Sequence, residues 1–186
     1  MKNTKLYFLL IALILISACG GLNDKQRKSA EDAIGALKKL DAATDVGINK
    51  IEYSKMLIDA LSTVNQAMEK MPDGELKQET KSAMDSFMDA KKLWNMMGED
   101  SNISVCETQP DTTNVNTSVR DFLEIACNRE GADLMKRYKI PMRPYPNSDE
   151  IKKGQGVIIK KEGVSIIWNS AKEHIKRAST LMNETK

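Results

Sequence analysis

Two long runs of helical periodicity, separated by a three-residue turn, constrain the fold of this chain more than any other feature. Apolar or small residues recur every three or four positions over residues 50–71 and again over 75–97. Between the runs lie Pro72, Asp73 and Gly74. Proline fixes the φ angle of one turn position, and glycine tolerates the positive φ angle that another turn position can require. Two amphipathic helices with so short a connection pack as an antiparallel hairpin. We therefore predict a helical hairpin at the centre of a mostly α-helical fold.

Helical spacing extends beyond the hairpin and predicts about five helices in all. The three further helices run from about residue 25 to 44, from 118 to 138 and from 164 to 183. We expect the first of them to pack on the hairpin. In the second helix of the chain, Ile51, Ile58 and Ala67 are predicted to flank the inward-facing stripe. That stripe comprises Ser54, Leu57, Leu61, Val64, Met68 and Met71.

The connections between the later helices are less regular. Residues 99–117 are polar and are predicted to form a long loop, which in a compact domain is often tied down or functional. Three prolines within residues 141–146 exclude a helix there and predict a stiff extended connector. The stretch before the last helix is ambiguous. A loop over 151–163 is the preferred interpretation, and a short β-hairpin near 157–167 is the alternative.

The N-terminus has the composition of an export signal. Lys2 and Lys5 precede an unbroken apolar run over residues 6–16, which is shorter than the roughly 20 residues that a membrane-spanning helix needs. A basic start, an apolar middle and small residues at the end characterise a secretory signal peptide. The residues that follow resemble the lipobox of bacterial lipoproteins: Ile16, Ser17, Ala18 and Cys19.

The lipobox resemblance implies a lipid anchor. In such proteins a signal peptidase cuts at the bond that here joins Ala18 to Cys19, and the cysteine thiol carries a diacylglyceryl group. Together with an acylated amino group, this makes a stable anchor. No aspartate follows Cys19 directly, which by the same resemblance favours the outer membrane, facing the periplasm, over the cell membrane or the cell surface. The alternatives are an ordinary signal peptide with an incidental cysteine and an uncleaved anchor helix.

These features divide the chain into three parts. Residues 1–18 form the predicted signal peptide, 19–24 the lipidated terminus and tether, and 25–186 a single helical domain. That domain comprises a hairpin region over 25–98, the polar loop over 99–117 and C-terminal helices over 118–186. The body resembles the small helical domains of uncharacterised bacterial lipoproteins and matches no characterised family, so the resemblance carries no activity.

The charge balance argues against a nucleic-acid partner. The chain carries 28 Lys and Arg against 26 Asp and Glu, a net charge of +2. Lys2 and Lys5 account for this excess, and the remaining basic residues are dispersed rather than gathered in a stripe that contacts phosphates. The predicted partners are therefore the membrane, reached through the lipid on Cys19, and an unknown envelope protein.

Two cysteines, Cys106 and Cys127, remain after lipidation of Cys19. An exported domain folds in an oxidising compartment, where an even number of cysteines favours a disulfide. Closing this loop of about 20 residues is worth about 3 kcal/mol in the chain-entropy model. The bridge would tie the polar loop to the fourth helix. The alternative is one exposed and one buried free thiol.

The sequence contains no recognisable catalytic, metal-binding or cofactor-binding pattern. His174, the single histidine, is surrounded by Lys172, Lys176 and Arg177, so a position at the edge of the last helical stripe is a better interpretation than a general base or a metal ligand. The methionines concentrated on the hairpin are interpreted as core rather than as thioether ligands of Cu(I). We therefore predict no catalytic residue, no metal and no cofactor.

A non-enzymatic, lipid-anchored envelope protein that presents its helices to a protein partner is the function that these patterns favour. One alternative is a periplasmic immunity protein or inhibitor that neutralises a toxin or a lytic enzyme, which the size and the compartment allow. An enzyme or a small-ligand carrier is the third possibility, and it requires a deep pocket with convergent polar groups.

Overall fold

The computed structural model of the chain describes residues 22–96, 102–106, 129–143 and 155–184. Its helices are α1 (Asp24–Val46), α2 (Lys50–Met68), α3 (Glu75–Asn95), α4 (Arg129–Tyr138) and α5 (Lys160–Glu184), and its strands are β1 (Asn102–Cys106) and β2 (Gln155–Ile159). The prediction of a mostly α-helical fold with about five helices is confirmed. Within these ranges, no helix combines the length and the apolar character that crossing a membrane requires.

Four of the helices form an antiparallel bundle. The predicted hairpin is the pair α2 and α3, and α1 packs on it as predicted. Each of α1 and α3 contacts both α2 and α5, and the contact between α3 and α5 is the most extensive among the described elements. α5 begins beside the end of α3 and runs back along it, because Gly163 lies next to Leu93 and His174 next to Glu79. The arrangement is an up-down-up-down four-helix bundle.

The start of α1 is set by a capping box. The Asn23 side chain accepts a hydrogen bond from the Gln26 backbone N–H at 3.0 Å, and the Gln26 side chain accepts one from the Asn23 backbone N–H at 3.1 Å. The helix therefore begins at Asp24, and Leu22 already packs against the bundle core. The tether predicted over 19–24 therefore extends too far, because residues 22–24 already belong to the folded domain.

The core face of α2 differs from the predicted one. Ile51 and Ile58, which were expected to flank the stripe, are 72% and 61% exposed. Tyr53 and Ala60, which the predicted stripe omits, are buried instead. The true stripe is rotated by about one residue, and its small alanines let neighbouring helices approach closely. The buried residues of this helix are Tyr53, Leu57, Ala60, Val64 and Ala67.

The described parts of the segment between α3 and α5, which are β1, α4, residues 139–143 and β2, form a cap on one end of the bundle. The two strands pair antiparallel, with Ser104 opposite Val157. On the other edge of β2, the backbones of Arg143 and Val157 exchange two hydrogen bonds of 2.8 Å. Apolar residues from α4 and β2 then join the ends of α3 and α5 in a second core cluster.

The strands correct the predictions for the irregular segments. Residues 102–106 form a strand within the predicted polar loop, and β2 occupies part of the predicted loop over 151–163. The alternative of a hairpin near 157–167 is also wrong, because residues 160–167 are the first turns of α5 and β2 pairs with β1, about 50 residues upstream. Each strand forms because it pairs with the other, and local strand propensity does not predict a partner so far away in the chain.

Gly163 lies where the cap meets the bundle. A methyl group on its Cα would be 2.7 Å from Leu93 Cδ2 and 3.3 Å from Ile158 Cγ2, and both of these side chains are fully buried. Gly35, in the middle of α1, offers a contrast, since among the described residues no heavy atom of a neighbour lies within 4 Å of such a methyl group. The two helical glycines therefore differ in what surrounds them.

Alanine at these two positions is expected to have opposite effects. Gly163→Ala should lower the free energy of unfolding by about 1–3 kcal/mol, because the added methyl group overpacks the cluster. Gly35→Ala should raise it by about 0.5–1 kcal/mol, because alanine restricts the unfolded chain and favours the helix. Urea unfolding followed by circular dichroism measures both. A stabilising effect of Gly163→Ala would contradict the close packing of α5 against Leu93.

Candidate functional site

A cavity of about 600 Å³ opens at the capped end of the bundle. We name it the tryptophan groove. One wall is formed by residues 44–48, which end α1 and turn into α2, and the other by the first turns of α5. The remaining lining residues are Trp94, Lys160, Lys161, Val164, Ser165 and Trp168. The groove thus combines aromatic and aliphatic surface with two lysines.

The turn that forms the first wall has a defined backbone. Gly47 follows α1 with a φ of +86°, a conformation that side chains other than glycine rarely adopt. The Asn49 side chain then accepts hydrogen bonds from the backbone N–H groups of Ile51 at 3.1 Å and Glu52 at 2.9 Å, and so starts α2. These local interactions hold the wall in place beside Trp168.

The two tryptophans of the groove are held by a buried tyrosine. The rings of Tyr53, Trp94 and Trp168 lie with centroids 5.5–5.6 Å apart, the spacing of packed aromatic pairs. The Tyr53 hydroxyl donates to the Phe87 carbonyl at 2.8 Å and accepts from Trp168 Nε1 at 3.1 Å. Burial raises the pKa of Tyr53 well above its ordinary value, so the hydroxyl stays neutral. The half-exposed indoles are therefore fixed before anything binds.

The charges around the groove are unevenly distributed. Lys160 and Lys161 line one wall and Asp45 lines the other. Asp45 accepts a 2.6 Å hydrogen bond from Lys172, which lies outside the groove and also reaches within 3.9 Å of Asp41. The hydrogen bond to Asp45 is the main cause that raises the pKa of Lys172. Among the described residues that line the groove, Asp45 is the single carboxylate and it is already paired, so Lys161 faces no uncompensated acid among them.

Exposed apolar side chains lie at the same corner of the molecule. Val46 lines the groove and is 86% exposed, and Ile51 stands in the first turn of α2. Together with Ile58, they are the large apolar residues most exposed to solvent in the described ranges. Exposed apolar surface next to an open cavity is a common feature of sites that bind other proteins.

A buried carboxylate joins the cap to the bundle. Asp89 on α3 is 3% exposed, and its side chain accepts hydrogen bonds from Arg137 and from the Tyr138 hydroxyl, the latter at 2.9 Å. Lys92 donates to the other carboxylate oxygen at 3.2 Å. The hydrogen bond to Asp89 is the largest cause that raises the pKa of Arg137. Since each partner is satisfied within the protein, we interpret this cluster as the attachment of α4.

His174 lies at the edge of the α5 stripe, as predicted, between α3 and α5. Its Nδ1 is 2.7 Å from Glu79 Oε2, which also accepts a hydrogen bond from Arg177 Nε at 2.9 Å. No sequence pattern predicts this carboxylate next to His174, because Glu79 comes from the neighbouring helix. Burial alone would raise the pKa of Glu79, but the hydrogen bonds from His174 and Arg177 outweigh it and lower that pKa.

The lowered pKa of Glu79 has a consequence for acid stability. A carboxyl group whose folded-state pKa lies below the unfolded value stabilises the fold above the unfolded pKa, near 4.5, and loses this contribution as the pH falls through the folded pKa. We expect Glu79→Gln to reduce stability at pH 7 and to flatten its decline in acid. Urea unfolding at several pH values tests this. A variant with the same acid decline as the parent would contradict it.

Metal-binding residues are not gathered in the described part of the chain. No group of three or more His, Cys, Asp or Glu side chains in these ranges lies close enough to hold an ion. The methionines of the hairpin region contribute to the core: Met71, Met84 and Met96 are buried, and Met68 and Met88 pack against it. For these five residues the interpretation as core is confirmed, whereas Met97 lies outside the described residues.

The predicted modification sites fall mostly elsewhere. The lipobox, Ile16 to Cys19, and the cysteine at position 127 lie outside the described residues, whereas Cys106 is the last residue of β1. The structure instead directs attention to Trp94, Trp168 and Lys161, which sequence patterns did not single out as a site because they come from separate helices. Comparison of the chain with models of protein families, with curated proteins and with solved structures finds no match.

Proposed function

We propose that this chain is a lipid-anchored, non-enzymatic protein of the bacterial envelope that binds another envelope protein through the tryptophan groove. The observation that carries the proposal is the fixed aromatic wall of Trp94 and Trp168, half-exposed in an open cavity beside the exposed Val46. Tryptophans in a preorganised pocket are frequent anchors of protein interfaces, because they bury a large apolar area with little loss of conformational entropy.

The polar groups of the groove favour binding over catalysis. Asp45 is paired with Lys172, and the Ser165 hydroxyl donates to the backbone carbonyl of Lys161 at 3.0 Å. The hydroxyl donates to a carbonyl rather than to a base that could activate it as a nucleophile, and the carboxylate is held by an ammonium group rather than left to accept a proton from a substrate. The groove is therefore better suited to recognise a surface than to transform a substrate.

The lipobox supports the membrane-anchored part of the proposal. Leu22, three residues after the proposed lipid on Cys19, already packs against the bundle core, so the start of α1 would be held near the membrane. A helix of 23 residues is about 35 Å long, and the groove lies at the far end of α1. The docking surface would thus face away from the anchoring membrane, which we propose to be the outer membrane, and into the periplasm.

The proposed Cys106–Cys127 disulfide is supported by the neighbourhood of two elements. β1 ends at Cys106 and packs against α4, which begins at Arg129, two residues after Cys127. A bridge between them would fasten the cap on which the groove borders. It would also limit opening of the cap in an extracytoplasmic compartment that contains no reducing thiol pool.

Site-specific crosslinking in cells tests the proposed function. A photoreactive amino acid at Val46, on the groove, should give a defined adduct with one envelope protein in cells that produce the full chain. The same amino acid at Gln66, an exposed position near the other end of α2, is the matched control and should give none. Cys19→Ser should weaken the adduct because it removes the anchor. Equal adducts from both positions, or none from Val46, would contradict the proposal.

A further inference from the structure

We propose that the groove receives an extended peptide segment of the partner in which a carboxylate side chain adjoins an apolar one. This inference rests on the proposed function and specifies the chemistry of its partner. It follows from two properties of the same cavity, the ammonium group of Lys161 in its lining and its aromatic wall. Each property selects one feature of the occupant.

The ammonium group of Lys161 selects a carboxylate. Among the described lining side chains, Lys161 supplies an ammonium group on the α5 wall, and the carboxylate of Asp45 on the opposite wall is paired with Lys172 from outside the cavity. An anionic group that enters meets the Lys161 ammonium without facing an uncompensated acid on the opposite wall. Hydrogen bonds between ammonium and carboxylate groups are stronger than those between neutral groups, and complementary charge discriminates between partners.

The aromatic wall selects an adjoining apolar side chain. Trp94, Trp168 and Val164 offer apolar surface a short distance from the lysines, since Lys161, Val164 and Trp168 succeed one another on one side of α5. A volume of about 600 Å³ exceeds what one side chain fills and suits a short peptide segment. The position of the groove, about 35 Å along α1 from the anchored end, favours a protein segment over a lipid of the anchoring membrane.

Intrinsic fluorescence gives a direct binding assay, because Trp94 and Trp168 are the two tryptophans of the chain and both line the groove. The protein used is the mature lipidated chain in detergent. The probe is a blocked tetrapeptide of Glu, Phe, Asp and Leu, and its comparator replaces the two acids by Gln and Asn. We expect a saturable change in emission with the acidic peptide and at least about tenfold weaker binding of the amide peptide.

Charge variants link the effect to the groove. Lys161→Glu should weaken binding of the acidic peptide about tenfold or more, and Lys161→Gln should weaken it less. Lys38→Glu, on an exposed part of α1 that does not line the cavity, is the matched control and should leave binding unchanged. Unchanged circular dichroism spectra show that the variants remain folded. Added salt should weaken binding of the acidic peptide and leave that of the amide peptide almost unaltered.

Several outcomes would overturn the inference. Equal binding of both peptides means that the groove selects apolar surface only. Binding of laurate with no binding of either peptide identifies a carrier of anionic amphiphiles, and a spectral change on concentrating the protein alone identifies a second copy as the occupant. If neither peptide binds while the Val46 adduct forms in cells, the peptide chemistry is wrong and the proposed function stands. If the adduct is absent as well, both fail.

Discussion

Replacing Asp89 by alanine is expected to lower the free energy of unfolding by about 3 kcal/mol and to detach α4 from the bundle. The carboxylate is almost fully buried and accepts hydrogen bonds from Arg137, Tyr138 and Lys92. Its removal leaves the half-buried Tyr138 hydroxyl without its charged acceptor and opens a gap against α3. Loss of one partner from a buried, hydrogen-bonded charge pair typically costs several kcal/mol of unfolding free energy. The cost is limited here because Arg137 is exposed and can bind water once Asp89 is removed.

Asp85→Ala is the matched control for this prediction. Asp85 lies on the same helix and forms a 2.6 Å ion pair with Lys81, but both side chains are more than half exposed. Exposed pairs of this kind contribute less than about 1 kcal/mol, so the control should change stability little. Urea unfolding measures both variants, and hydrogen exchange of the α4 amides reports its attachment. Similar losses in the two variants would contradict the role that we assign to Asp89.

Tyr53→Phe is expected to cost about 2 kcal/mol and to loosen the aromatic wall of the groove. The substitution keeps the ring and removes the hydroxyl that connects the Phe87 carbonyl to the Trp168 indole. The Phe87 carbonyl then loses a buried hydrogen bond and Trp168 Nε1 a part-buried one, and a polar atom left unsatisfied on burial costs about 1–3 kcal/mol. The near-ultraviolet circular dichroism of the tryptophans should weaken, because Trp168 is no longer held at one angle.

Thr63→Ala provides the comparison for Tyr53→Phe. The Thr63 hydroxyl also donates to a backbone carbonyl, that of Asp59 at 3.1 Å, but this bond is exposed to water. Its removal should therefore change the unfolding free energy by less than about 0.5 kcal/mol. If Tyr53→Phe has an effect equally small and leaves the near-ultraviolet spectrum intact, the hydroxyl does not position Trp168, and the groove is less preorganised than proposed.

These two residues show how far sequence patterns reach into the candidate site. Tyr53 directly precedes Ser54 of the predicted stripe of α2, and Asp89 directly precedes Ala90, one of the buried residues of α3. A periodic pattern defines a helical face only to within about one residue, or 100° of rotation. Whether a side chain at the edge of that face is buried depends on the shape of the neighbouring helices. The burial of these two polar groups was therefore outside the reach of periodicity.

The same limit explains the exposure of Ile51 and Ile58. In α2, the residues at 53, 60 and 67 and those at 54, 61 and 68 both follow helical spacing, and the first set faces the core. Two orientations of α2 about its own axis are therefore compatible with the sequence, because each would bury a similar number of apolar side chains. Packing against α1 and α3 selects one of them, and the isoleucines on the opposite side remain in water.

Local patterns predict the helices and the hairpin joined near Pro72–Gly74, because hydrophobic period and helix-breaking residues act over a few neighbouring positions. The pairing of β1 with β2, the burial of Asp89 and the assembly of the tryptophan groove arise only when the elements pack together. Each of these joins segments about 40 to more than 100 residues apart in the chain. Contacts over such separations depend on which surfaces fit together once the helices pack, and no local pattern records that fit.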